Sequence, residues 1–75
     1  MIHTRVVQLD GSGAGSISVA PSRLAALLNG SLTNLGTTYA AGKRLPGEEE
    51  FISGDCVIAG DPETVCRVYL LYPGH

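Results

Sequence analysis

Few residues in this chain have the types that carry chemistry, and their spacing decides most of what they can do. Gly11, Gly13 and Gly15 follow a run that reads as a strand, and backbone amides in such a loop can cradle an anion. A dinucleotide-binding loop places its third glycine three residues after its second and then opens a helix. Here the order is Gly-x-Gly-x-Gly, and the residues that follow, Ile17, Ser18 and Val19, are strand-like. The Gly-Lys-Ser/Thr ending of a P-loop is missing as well. Segment 11–16 therefore reads as a flexible hairpin loop, and no nucleotide cofactor is expected.

Cys56 and Cys66 stand at equal offsets from Asp61, flanking a turn between strands expected to pair. An even-numbered loop puts their side chains on opposite faces, where no disulfide can form. The odd three-residue alternative wants glycine where the chain has Glu63 or Thr64. Two reduced, half-buried thiols are the expectation. A metal site would have to recruit His3 or His75 from the chain ends, and neither Cys-x-x-Cys nor His-x-x-x-His spacing occurs, so no metal is expected. Asp55 and Asp61 sit beside glycine or proline in turns, where carboxylates satisfy backbone amides. Glu48, Glu49 and Glu50 form a solvated run that offers too few oxygens for a hard cation. With no nucleophile set beside a base, the chain reads as a non-enzyme with no catalytic residue.

The elements that must position these residues are short. Residues 2–9 read as a first strand and 17–20 as a second, joined by the glycine loop into a hairpin. Pro21 fits a helix start, and Leu24, Leu27 and Leu28 stand at i, i+3 and i+4, so the spacing predicts a short helix over 21–29 capped by Asn29-Gly30. An extension to residue 35 keeps the period but carries Gly30, Thr33 and Asn34 in its interior. Residues 37–41 are strand-like, and 42–50 form a polar loop around Pro46-Gly47. Phe51-Ile52 and 56–59 read as one bulged strand or two short ones, and Asp61-Pro62 turns the chain into a last strand. The fold class is mainly β (α+β): a single small domain with an antiparallel sheet or barrel-like sandwich and one short helix.

Composition narrows the partners. Seven acidic residues against five basic ones give a net charge of −2, so the chain lacks the cationic surplus that nucleic-acid binding requires. No amino-terminal leader is legible, and the aliphatic run 24–28 is far short of a membrane span, so a soluble protein made in the cytoplasm is expected, with no membrane partner. A domain of 75 residues buries only about 60 to 65% of its unfolded surface, so association would help it materially.

The last strand, 64–72, is the clearest sign of such association. Cys66, Val68, Leu70 and Tyr72 make one face; Val65, Arg67, Tyr69 and Leu71 make the other, and neither is properly polar. The first face is expected to be core. The second, with Arg5, is the candidate interface, arginine being suited to planar bidentate contacts between subunits. The expected function is a structural or assembly module of a homo-oligomer or of a larger repetitive assembly, such as a decoration, cement or connector protein of a virion. The alternative is a small ligand-binding or regulatory domain with a pocket under the 42–50 loop, near Tyr39 and Phe51.

Overall fold

The computed structural model describes residues 2–73 and arranges them in five strands: β1 (Ile2–Gln8), β2 (Ala14–Asn34), β3 (Thr37–Lys43), β4 (Glu50–Ala59) and β5 (Val65–Leu71). His75, one of the chain's two histidines, lies outside the described residues. All pairings are antiparallel within one sheet: β1 with β5, β5 with β2, and β2 with both β3 and β4. The mainly β reading holds. The helix expected over 21–29 is not there, and those residues form the middle of β2.

The reason lies in three irregularities that break the two-residue alternation of β2. Leu24 pairs with Leu70 and Ala26 with Tyr69, so Ala25 is an extra residue on β2. It shifts the inward positions from every second residue to a gap of three, and Leu24 and Leu27 both enter the core at a spacing that imitates a helix stripe. Leu28, the third member of that stripe, points away from the core and is 41% exposed. Pro21 starts no helix; with Ala20 it occupies a bulge between the Val19–Gly54 and Ser22–Ile52 pairs, where a missing N–H breaks no ladder bond. Asn29 (φ 82°) and Gly30 (φ 86°) are left-handed, as the cap reading required, but the conformation serves a bulge. Leu28, Asn29 and Gly30 together stand opposite Ala41, between the Leu27–Gly42 and Ser31–Ala40 pairs.

These bends let one strand serve three partners. The first part of β2 pairs with β4, the middle with β5, and the last part lies between β3 and β4. Val57 of β4 consequently has β2 on both sides, Ser16 at one edge and Thr33 at the other. Strand β4 is continuous through 53–55, which settles the choice between one bulged strand and two short ones. The glycine loop is shorter than expected, because Ala14, Gly15 and Ser16 already belong to β2. Asp10 organises what remains of it: its carboxylate accepts from the Ser12 N–H and hydroxyl at 2.8 Å each and from the Ala14 N–H at 3.0 Å. The Ala14 amide first, and then the Ser12 groups, hold this carboxyl below its ordinary range. That contribution to stability is present above the ordinary carboxylate range and lost as pH falls through the lowered value.

Aliphatic side chains supply the core volume. Leu9, Leu24, Leu27, Leu32, Ile52, Ile58, Val68 and Leu70 are fully buried, and Cys56 and Cys66 lie among them. Asn34 is the notable polar residue inside. Its amide donates to the carbonyls of Ser53 (2.8 Å) and Asp55 (3.0 Å) and accepts from the Ser53 N–H (3.3 Å), clamping β4 on both sides of Gly54. No buried side-chain polar atom among the described residues is left without a partner.

Candidate functional site

The site is built from the side chains of β5 that the core does not take. Cys66, Val68 and Leu70 have no exposed surface, whereas Val65 and Arg67 are exposed and Tyr69 and Leu71 half-buried on the opposite face. Directly opposed residues of antiparallel strands share a face, so the register extends each outer residue of β5 into a row. Arg67 stands between Val6 of β1 and Leu28 of β2. Tyr69 stands between Thr4 and Ala26, and Ala26 is followed by Lys43 of β3. Leu71 stands between Ile2 and Arg23, and Arg23 is followed by Phe51 of β4.

The outcome is one face on which exposed apolar side chains are interleaved with Thr4, Arg23, Lys43 and Arg67. Val6 is 61% exposed, Phe51 59%, Ile2 54%, Leu28 41% and Val65 40%. Isolated exposed aliphatics are ordinary on a protein surface, whereas here several are neighbours in adjacent rows of one face. The structure thus brings together Val65, Arg67, Tyr69 and Leu71, but places Arg5 elsewhere. Arg5 is opposite Val68, on the core side of β1, and its guanidinium donates to the Ser18 carbonyl at 3.1 Å. Ile2, Val6, Leu28 and Phe51 were missed in the sequence. The alternation of Ile2 and Val6 against Val7 carried a signal for the first two, while Leu28 was hidden by the false helix stripe.

Basic side chains predominate on this face. Arg23, Lys43 and Arg67 lie on it, and no carboxylate occupies its rows. Among the described residues the one ion pair is Arg44 with Glu50, at the base of the β3–β4 loop. Two depressions indent the surface. One of about 410 Å³ lies among Ile2, Ala26, Leu28, Lys43, Tyr69 and Arg44, the last of which holds Glu50; the other, of about 280 Å³, lies among Arg23, Phe51, Leu71 and Tyr72. Phe51 lines the smaller one, and Tyr39 lines neither, packing instead against the core, so these cavities do not join the two aromatic residues expected to share a pocket.

The other singled-out residues are dispersed. Cys56 and Cys66 do not sit on paired strands, because β4 and β5 each pair with β2 and have no pairing with one another. Cys66 is opposite Val7; Cys56 is opposite Ile17 and Asn34. Both are free and fully buried rather than half-buried. Burial pushes both thiols up, and at Cys56 the Asn34 amide opposes the rise while the Asp55 charge adds to it. Native protein is therefore expected to resist thiol reagents that label it fully when unfolded. The sign with pH follows from proton binding. The unfolded chain releases its thiol protons in the ordinary range near 9.0 while the folded chain keeps them, so stability falls as pH rises through that range. Denaturant midpoints measured from neutral pH to about pH 10 should show that decline, and a Cys56→Ala/Cys66→Ala variant should lose the part due to the thiols.

His3 packs edge-on against Tyr72, with ring centroids 4.6 Å apart. Asp55 lies in β4 opposite Ser18, whereas Asp61 lies in the turn before β5. No group of three or more metal-liganding side chains occurs among the described residues, and none of their segments is a helix long and apolar enough to cross a membrane. In comparisons with known proteins, no family model, curated protein or solved structure matches the chain.

Proposed function

We propose that this protein is a structural assembly module that acts by contact, in a homo-oligomer or as an accessory of a larger repetitive structure such as a virion. The outer face of β1, β5 and β2 is its binding surface. One observation carries the reading: Ile2, Val6, Leu28, Phe51 and Val65 are exposed on the same face as Tyr69 and Leu71, while the opposite face of β5, with Val7, Leu24 and Leu27 beside it, fills the core. Burying such a face stabilises a small domain at roughly 25 cal/mol for each Å² of apolar surface removed from water. Arginine and tyrosine among aliphatics also match the composition of contact surfaces that carry most of their binding energy in a few residues.

The test is solution mass across a dilution series, with melting temperature followed at the same concentrations. Assembly predicts a mass that falls on dilution and a melting temperature that falls with it, because a partner that binds only the folded state stabilises it by mass action. Leu71→Asp should abolish association while leaving a folded monomer, since the carboxylate there remains in reach of water. A wild-type monomer with a concentration-independent melting temperature, and no partner recovered by the larger structure it was purified with, would count against the reading.

A further inference from the structure

We propose that the occupant of this face is the 45–49 turn of a second copy, with Leu45 in the larger depression and Glu48 and Glu49 against Arg67 and Lys43. The proposal rests on the assembly reading and adds the partner and the polarity of the contact.

Charge complementarity selects the occupant. Arg23, Lys43 and Arg67 stand among apolar neighbours with no carboxylate in their rows, and none of them is in an ion pair among the described residues. Pressing this face against its own copy would oppose like charges as water is removed, which weakens an interface strongly. The occupant must bring apolar surface and carboxylates together. The 45–49 turn does so: Leu45 is 65% exposed, Glu48 is exposed, and Glu49 is half-exposed beside them.

Other exposed segments lack one half of that requirement or bring only a single carboxylate. Leu35 is 84% exposed, but no acidic residue adjoins it in the β2–β3 turn. Asp10, Asp61 and Glu63 share one end of the molecule, where Glu63 N–H donates to the Asp10 carbonyl, and no large exposed apolar side chain lies in these turns. Asp55 and Val57 follow one another on one face of β4, but as a single carboxylate among Ser16, Ser18 and Thr33.

The turn is also held in shape before any partner arrives. The Glu48 N–H donates to the Leu45 carbonyl at 2.8 Å, and the Gly47 N–H donates to the Glu49 carboxylate at 3.1 Å. The Arg44 N–H donates to the Ala25 carbonyl at 2.9 Å, and the Arg44 guanidinium pairs with Glu50, fixing the turn to β2 at its base. A pre-shaped element loses little conformational freedom on docking. Each copy both presents a turn and receives one, so the contact joins two different patches, whether reciprocally in a pair or onward from copy to copy.

The experiment is a charge exchange read by sedimentation. Arg67→Glu/Lys43→Glu reverses the face, and Glu48→Lys/Glu49→Lys reverses the turn; circular dichroism of dilute samples verifies that each variant is folded. Each variant alone should associate at least tenfold more weakly than wild type at low salt. Mixed in equal amounts they should associate again, since the reversed turn now meets the reversed face and the native turn meets the native face. Variants that assemble as well as wild type, or a mixture that stays monomeric, would overturn this contact while the assembly reading stands on the wild-type dilution series. A wild type that is monomeric at every concentration would overturn both the second copy as occupant and self-assembly.

Discussion

Val68→Asp is expected to leave the chain unfolded, with no cooperative melting transition and a random-coil circular dichroism spectrum. Val68 has no exposed surface and is paired on both edges, with Arg5 in β1 and Leu27 in β2, at the centre of the strand that joins them. Removing its side chain from the core forfeits about 1.5 to 3 kcal/mol of burial. The carboxylate adds several kcal/mol more, whether it stays charged without a partner or takes up a proton against its ordinary pKa. A domain of this length has about 4 to 11 kcal/mol of stability in all, so the two costs together remove most or all of it. The neighbouring outer position gives the internal comparison, because Leu71→Asp puts the same group on the other face of the same strand. Equal unfolding by both substitutions would mean that the two faces of β5 are equally enclosed.

Gly30→Ala should, like Gly13→Ala, be among the most damaging substitutions of a single methyl group, lowering stability by about 3 kcal/mol or more. Gly30 adopts φ 86°, which costs an L-residue about 1 to 2 kcal/mol. A Cβ there would also overlap the Ala59 carbonyl and crowd the Gly60 Cα, both backbone atoms that cannot rotate away. Relief would require β4 to separate from β2 at the Ser31–Ala59 pair, or the 60–64 turn to shift. Gly36→Ala isolates the conformational part, since Gly36 has φ 82° and open space around it. Its cost should stay near 1 kcal/mol. Denaturant unfolding of the two variants separates steric overlap from backbone preference, and equal losses would assign the whole effect to φ.

Much of this architecture was legible because alternation was regular where strands were regular. Strands β1 and β3 and the two halves of β4 were legible as strand-like runs bounded by turn residues, and alternation marked residues 17–20 and divided β5 into an inner and an outer set. Legibility failed where β2 bends. A one-residue bulge at Ala25 turns a gap of two into a gap of three, and sequence pattern alone cannot distinguish that from a helix. Asn29-Gly30 was correctly read as left-handed and wrongly assigned to a cap, since the same φ values serve both purposes. The candidate face was half legible: its β5 residues came from one strand, but Ile2, Leu28, Arg23 and Phe51 join it through pairings between distant segments. Arg5 was misplaced because whether an arginine on an edge strand shares the face of its neighbours depends on register, which fixes it opposite Val68.

The pairing of β1 with β5 sets the order in which this molecule can form. Ile2 finds Leu71 and Gln8 finds Val65, so the first strand made has nothing to pair with until the fifth exists. Strand β2 is no earlier to finish, because its middle also waits for β5 while its flanks can already hold β3 and β4. Closing such long loops before any contact rewards them places this small domain among the slow folders, on a scale of milliseconds to seconds. Core and outer face are therefore completed by the same element, since β5 supplies Cys66, Val68 and Leu70 to the one and Val65, Arg67, Tyr69 and Leu71 to the other.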